Sequence, residues 1–237
     1  MKSIQIISSV ISFAEKFTMR TILSGILSVL IFVSCNNSKQ EKKAEAKVIS
    51  KHSNSFNESM QSAMDSYHAL TEAFVNWDSA AVDKRAEELK LKLDSVNFFG
   101  FNPSTITAPI DTLQLAKKDL QSMAVNKSIA DKRRDLNSLT QHLYSFLNNV
   151  QYDEKKLYLN ECPMAFNDSI PGDWLSETES IRNPYLGLHH PHYGKAMIEC
   201  GSTISTIDYV TTADQSEQEK KEPEDKNTGN DKKSKSQ

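Results

Sequence analysis

Four stretches between residues 56 and 150 place apolar residues mostly at steps of three and four. This spacing keeps apolar side chains on one stripe of a helix and leaves the other faces polar. The four stripes are Phe56, Met60, Ala63, Tyr67, Leu70, Phe74 and Trp77; Val82, Ala86, Leu89, Leu93 and Val96; Leu113, Ala116, Leu120 and Met123; and Ile129, Leu136, Leu139, Leu143, Phe146 and Val150. Since the connections between them are short, the pattern predicts a mainly α fold built on an antiparallel four-helix bundle.

The residues between the stripes predict where the helices begin. Asp78 or Ser79 precedes the second stripe and suits a helix N-cap, because its side-chain oxygen can accept a backbone N–H. Ser128 with Asp131 resembles a capping box ahead of the fourth stripe. The stretch GFNPSTITAP, residues 100–109, contains two prolines and a glycine. It predicts a break before the third helix.

The helical period ends at Val150. Residues 156–205 hold four of the seven prolines and four of the seven glycines of the chain. That content favours turns and loops over regular elements. We therefore expect residues 55–212 to form the helical bundle followed by a loop-rich C-terminal segment that carries cysteine, methionine and histidine.

The beginning of the chain predicts export. From Met19 it reads MRTILSGILSVLIFVSC, with an arginine followed by an apolar run too short to span a bilayer comfortably. We interpret residues 1–34 as a signal peptide, with Met19 as a candidate start of translation. The Ser34-Cys35 pair that ends the run resembles the processing site of bacterial lipoproteins, where the cysteine carries the acyl chains. Residues 35–54 then read as a flexible tether, and the protein is expected on the cell envelope, facing the periplasm, with the outer membrane favoured.

Composition and motifs narrow the possible functions. The 237-residue chain has a net charge of −3, which leaves no basic surplus to neutralise phosphates and argues against a nucleic-acid partner. Residues 213–237 are charged and almost free of apolar side chains, so they are expected to be a disordered tail. The sequence contains no H-E-x-x-H, no G-x-S-x-G and no glycine-rich phosphate loop, so we predict no enzymatic activity.

Candidate chemistry is concentrated in the C-terminal segment. Cys162 and Met164 stand near its start, and Met197 and Cys200 near its end. Two thiolates and two thioethers are a soft ligand set that suits Cu(I) and related ions. Three imidazoles between these pairs could complete a copper or zinc site; they belong to His189, His190 and His192.

A second interpretation of the cysteines has equal weight. In an exported protein, two cysteines 38 positions apart commonly form a disulfide. Closing a ring of that size stabilises a fold by about 4 kcal/mol in the chain-entropy account. In that case the methionines fill gaps in the core, the histidines lie on a solvated loop, and no metal is bound.

A further soft site could lie on the helices. Met64 and His68 are one turn apart on the first stripe, and His142 flanks the last stripe. Half-buried helix positions of this kind more often serve packing than metal ligation.

The motifs ECPMA, DWLS, IRNPYLG and MIECG occur in this order after the helices. Together they resemble a bacterial domain of unknown function found in secreted lipoproteins and fused to periplasmic adaptor subunits of heavy-metal RND efflux pumps. The resemblance implies about four helices ahead of the motifs and favours a soft metal over a structural disulfide. It also leads us to expect that Trp174, Asn183, Pro184 and Tyr185 shape the loop.

Two features depart from the pattern. The family's shorter form goes almost directly from N-P-Y-x-G to M-x-x-C-G, whereas this chain interposes LHHPHYG, a variant loop that adds imidazoles. Many members carry a histidine before an aromatic residue near the L-S of the last helix, where this chain has Asp135-Leu136 before Leu139-Thr140. If that histidine is a ligand, His142 would have to replace it.

The sequence thus supports two hypotheses of different classes. The first is a lipoprotein that binds Cu(I) or another soft ion as a buffer or accessory to metal efflux, with an RND adaptor or a metal chaperone as partner. The second is a structural or adaptor lipoprotein with a Cys162–Cys200 disulfide that binds an envelope or efflux-pump partner.

Overall fold

Four helices come first along the chain, and a small antiparallel sheet follows them in the computed structural model, which describes residues 48–212. The helices are α1 (Asn54–Val75), α2 (Ser79–Asp94), α3 (Pro103–Val125) and α4 (Ile129–Val150), and the strands are β1 (Leu157–Phe166), β2 (Ile170–Ser176) and β3 (Ser202–Ile207). Within these described residues, no helix has the length and apolar character needed to cross a membrane. The predicted signal peptide, Cys35, most of the predicted tether and the predicted tail lie outside the described residues.

The apolar stripes become the core of the helical part. Of the stripe residues, all except Trp77 and Ile129 are buried, and each helix packs against the next one along the chain. Asp78 is the N-cap of α2, where its carboxylate accepts the Ala81 N–H. Ser128 caps α4, but its hydroxyl accepts the Ala130 N–H rather than the N–H of Asp131. The capping-box hydrogen bond from the Asp131 N–H to the Ser128 hydroxyl is therefore not formed.

The third helix begins earlier than expected. Asn102 caps it and Pro103 occupies its first turn, so residues 103–109 of the stretch read as a break form the first two turns of α3. Proline is well suited to a first turn because its missing N–H has no partner there in any helix. Pro109 lies inside the helix, where it forfeits one backbone hydrogen bond but contributes a buried ring.

The expectation of a loop-rich segment after Val150 is wrong for three parts of it. β1 is the central strand of a three-stranded sheet with the order β2-β1-β3, and both of its neighbours are antiparallel. Pro171 lies on the edge strand β2, and Pro163 lies where the β1–β2 register shifts, so neither removes a ladder hydrogen bond that a regular central position would need. The longest part of the segment without a strand is residues 177–201, which consist mostly of turns and bends.

The hairpin between β1 and β2 turns at Asn167 and Asp168, which both have positive φ. The Ser169 N–H donates to the Phe166 carbonyl across this turn. Two consecutive left-handed residues give the mirror-image turn that matches strand twist, and asparagine and aspartate tolerate it best after glycine.

The sheet is anchored to the first and last helices through β2. The Leu175 N–H donates to the Tyr67 hydroxyl of α1, and the Asp173 N–H donates to the Asn137 side chain of α4. These bonds place the inner face of the sheet over the seam between α1 and α4.

Candidate functional site

Two cysteines that are 38 positions apart in sequence meet at one edge of the sheet. The pairing of Glu161 with Ser202 aligns β1 with β3, and the residues just beyond this pair bring Cys162 and Cys200 together. Their sulfur atoms are 3.2 Å apart and are not bonded to each other. Cys162 is fully buried, whereas Cys200 is partly accessible. The structure therefore presents a close pair of thiols with one accessible member.

The surroundings of Cys162 favour its protonated form. Burial, together with the neighbouring Cys200 sulfur, raises the pKa of the Cys162 thiol to about 11. The Met164 backbone N–H and the Asn183 amide donate to the same sulfur and oppose this rise only in part. At neutral pH Cys162 is consequently protonated, and either a metal or an oxidant has to displace the proton from its sulfur.

Asn183 connects the segments around the thiols. Its side-chain amide donates to the Cys200 carbonyl at 2.7 Å, and its backbone N–H donates to the Ile198 carbonyl. Its side-chain oxygen accepts the backbone N–H groups of Tyr185 and Leu186. Asn183 is fully buried, so each of its polar groups is used to hold the 183–186 turn against the Cys200 segment.

Trp174 and Tyr185 form an aromatic wall beside the thiol pair. Their ring centres are 6.2 Å apart, and the Tyr185 hydroxyl donates to the Asp173 carbonyl. Glycines allow the chain to approach these rings closely. A Cβ at Gly172, which pairs with Cys162 across the hairpin, would come within 2.8 Å of the Tyr185 ring, and one at Gly201 within 2.8 Å of the Trp174 ring.

The residues after Asn183 dock on the end of α1. The Pro184 carbonyl accepts from Arg133, and the Leu186 carbonyl accepts the Trp77 indole N–H at 3.1 Å. The Leu188 N–H donates to the Val75 carbonyl at the end of the helix. The 183–188 segment therefore spans from the thiol pair to the α1 terminus.

The two methionines of the predicted ligand set flank the thiols in the chain and pack against the core. Met164 follows Cys162 by two positions on β1, and the Cys200 N–H donates to the Met197 carbonyl across a tight turn. Both side chains are partly buried. The structure thus holds a thiol and a methionine on each of two adjoining segments.

The three histidines of residues 189–192 are not directed at the thiol pair. The ring of His190 stacks on Tyr193 and meets the edge of Trp77, and its Nδ1 accepts the backbone N–H groups of His192 and Tyr193. His189 and His192 are exposed. Across residues 48–212, no three His, Cys, Asp or Glu side chains form a group that could hold a metal ion. The structure therefore brings the two thiols together and does not add an imidazole to them.

The candidate secondary ligands make other contacts. Met64 is buried in the core, and the His68 Nδ1 lies 3.7 Å from Glu177. Burial lowers the pKa of His68, and its Nε2 is enclosed without a hydrogen-bond partner. His142 Nδ1 lies 2.6 Å from the carboxylate of Asp119, which links α4 to α3.

Sequence reasoning missed Arg133, which the structure shows to be buried. Its guanidinium donates to the Phe74 and Pro184 carbonyls and lies 3.9 Å from the centre of the Trp77 ring. The signal was present, because Arg133 stands at the fourth-stripe position one turn after Ile129, where an apolar residue is expected.

A comparison with known proteins finds a match for the helical part of the chain alone. Residues 63–155 match the model of a family described as "Protein of unknown function (DUF3347)". The match begins within α1 and ends before β1, so the thiol pair lies outside it. No significant match was found among curated proteins or among solved structures. The comparisons thus identify a domain of unknown function over the four helices, and the link to efflux adaptors stays a prediction.

Proposed function

We propose that this chain is a lipid-anchored envelope protein without enzymatic activity, which binds a soft metal ion, Cu(I), at the Cys162–Cys200 pair. The observation that carries the proposal is the 3.2 Å separation of two unbonded thiol sulfurs at the edge of the sheet. Thiolates are preferred ligands of Cu(I).

The distance between the two sulfur atoms is closer to that of two thiolates on one metal ion than to that of a disulfide bond. Two thiolates on a tetrahedral ion with bonds of about 2.3 Å lie about 3.8 Å apart, so the 3.2 Å pair would open by about half an ångström. A disulfide bond of about 2.05 Å requires the sulfurs to close by more than 1 Å. Metal binding therefore needs the smaller movement.

Thioethers of Met164 and Met197 complete the proposed ligand set. Each lies on the same short segment as one of the thiols, and neither is locked into the fully buried core. Two thiolates carry two negative charges, of which a monovalent ion neutralises one. Soft sulfur ligands select Cu(I) over hard cations. His189, His190 and His192 are placed outside this primary site, because none of them groups with the two thiols.

The cellular role that suits this site is buffering copper for an efflux system. In the proposed arrangement, acylated Cys35 holds the protein on the membrane, the helices form an antiparallel bundle, and the accessible Cys200 is the point of exchange with an RND adaptor or a metal chaperone. Partial exposure of one thiol supports exchange, since ligand transfer requires an incoming ligand to reach the metal.

The native mass of the full-length protein tests the proposal. The protein would be exported into a copper-supplied periplasm and purified without chelator or reductant. We expect a species heavier by one copper ion, and loss of that copper in Cys162→Ser and in Met197→Leu. Met123→Leu, at a buried methionine of α3, is the matched control. A mass lower by two hydrogens with no metal would contradict the proposal.

A second candidate is an adaptor lipoprotein in which the two cysteines form a disulfide. The same short distance favours it, because oxidation would link β1 directly to the segment before β3. Under this proposal Cys162→Ser lowers the melting temperature, copper leaves the wild-type melting temperature unchanged, and the functional surface is a docking site for an envelope or efflux-pump partner.

A further inference from the structure

A cleft of about 340 Å³ opens at the start of α4. Its walls are aromatic and basic, and they include Trp77, Arg133, Arg134, Phe166, Tyr185 and His190. Its volume is in the range of small-molecule sites in proteins. No aspartate or glutamate is among the described residues that line it.

The charge of Arg133 is buried without a counter-ion. The residue is 4% exposed, and its Nε and Nη2 donate to backbone carbonyls, which carry no net charge. Its Nη1 has no hydrogen-bond partner within residues 48–212 and is not fully enclosed, so a molecule in the cleft can reach it. A buried charge without a partner is costly, and an anion in the cleft would supply that partner.

Arg134 adds a second cation at the rim, with its guanidinium carbon 4.9 Å from the centre of the Phe166 ring. Of the four arginines that the structure describes, Arg85 and Arg182 form ion pairs with glutamates, whereas Arg133 and Arg134 form none. The unpaired arginines are thus the two that line the cleft.

The start of α4 adds to the positive potential of the cleft. Ile129 and Ala130, the first residues of α4, line it, so the positive end of the helix dipole is directed towards it. His190 adds no charge at neutral pH, because burial, Arg133 and His192 lower its pKa and Asp168 opposes this only in part. Asp168 is the nearby carboxylate, and it accepts a hydrogen bond from the Tyr193 hydroxyl.

We propose that this cleft binds a small organic anion, in which a carboxylate or phosphate group pairs with Arg133 and Arg134 and an apolar or aromatic body lies between Trp77 and Phe166. Nη1 of Arg133 and the guanidinium group of Arg134 can donate charge-assisted hydrogen bonds to the oxygen atoms of such an anion. The aromatic walls supply the area that anchors the uncharged part of the ligand. The cleft shares Tyr185 with the aromatic wall beside the thiol pair, but none of the four proposed sulfur ligands lines it.

Ligand-observed ¹⁹F NMR on the full-length protein tests the proposal with three probes: 4-fluorobenzoate, the neutral isostere 4-fluorobenzamide, and 4-fluorophenyl phosphate. We expect 4-fluorobenzoate to bind saturably and at least tenfold more tightly than 4-fluorobenzamide, which corresponds to one charge-assisted hydrogen bond. Tighter binding of the phosphate probe than of the benzoate would identify a phosphate ester as the ligand, and the reverse order a carboxylate.

Arginine substitutions test whether the probe binds in the cleft. Arg134→Met, at an exposed position, should keep the fold and weaken 4-fluorobenzoate binding at least fivefold, whereas Arg85→Met on α2 should leave binding unchanged. Arg133→Met should abolish binding, and if circular dichroism shows that it does not fold, Arg134→Met decides. The proposal is overturned by an absence of saturable binding, by equal binding of the amide and the carboxylate, or by wild-type affinity in folded Arg134→Met.

Discussion

The guanidinium carbon of Arg133 lies 3.9 Å from the centre of the Trp77 ring. Trp77 follows the end of α1 with a positive φ of 56°, and the Asp78 and Trp77 N–H groups donate to the Ala73 and Phe74 carbonyls. This is a Schellman ending, in which glycine is usual at the left-handed position. A tryptophan is held there by Arg133 beneath its ring and by the Leu186 carbonyl at its indole N–H.

We therefore predict that Trp77 and Arg133 are energetically coupled. Trp77→Leu and Arg133→Met should each lower the free energy of unfolding, and the double variant should lose about 1–2 kcal/mol less than the sum of the two. Urea unfolding of the four proteins measures the coupling. Additivity within about 0.5 kcal/mol would mean that the stacking contributes no stability.

The helices could be predicted from sequence because burial follows their period directly. The sheet could not, because the prolines and glycines of residues 156–205 suggested loops. Pro171 is tolerated because β2 is an edge strand, and Gly172 is required by the ring of Tyr185. These are tertiary reasons, which are visible only once the strands are paired.

For the candidate site, the sequence indicated the two cysteines but not how the histidines would be used. His190 lies in the same short segment as the Cys200 end, yet its ring packs on Trp77 of the first helix connection. Nearness along the chain is a poor guide in a segment of turns, since one reversal such as Gly194, with φ of 55°, redirects it.

The Tyr67 hydroxyl yields a second prediction, about the contact between sheet and helices. It is fully buried, lies 2.7 Å from the Thr140 hydroxyl and accepts the Leu175 N–H, and burial raises its pKa to about 12. Tyr67→Phe leaves that N–H without an acceptor, so we expect a loss of about 1–3 kcal/mol in the free energy of unfolding. Tyr209→Phe, at an exposed tyrosine, should change it by less than about 0.5 kcal/mol. Equal effects in chemical denaturation would contradict this assignment.

Two glycines with positive φ provide a matched pair for a third prediction. A Cβ at Gly201, with φ of 135°, would lie 2.7 Å from the Glu161 carbonyl oxygen and close to the Trp174 ring. A Cβ at Gly194, with φ of 55°, would meet nothing within 4 Å. We expect Gly201→Ala to cost about 2–4 kcal/mol, from backbone strain plus the clash, and Gly194→Ala about 1–2 kcal/mol from strain alone. Thermal unfolding compares them, and a smaller effect at Gly201 would show that the chain around Cys200 can shift freely.

The pH dependence of copper affinity is the prediction that most directly tests the thiols. Because burial raises the pKa of Cys162 to about 11, its thiol is protonated throughout the neutral range, and a metal must displace that proton. Copper affinity therefore rises with pH, by about tenfold per pH unit for the proton that leaves Cys162, and no plateau is reached between pH 6 and 8. Competition with a colorimetric Cu(I) chelator at pH 6, 7 and 8 measures the slope.

The slope also separates the two cysteines from other ligands. If Cys162 binds the metal, any copper affinity that Cys162→Ser retains should change about tenfold less per pH unit than the wild-type affinity, because the variant has one fewer proton to lose. Met123→Leu should retain the wild-type slope, because this methionine is buried in α3 and bears no titrating proton. An equal slope in Cys162→Ser and in wild type would mean that copper binds to other ligands and that Cys162 does not belong to the site. The two cysteines would then have a structural role, as a cross-link between β1 and the segment before β3.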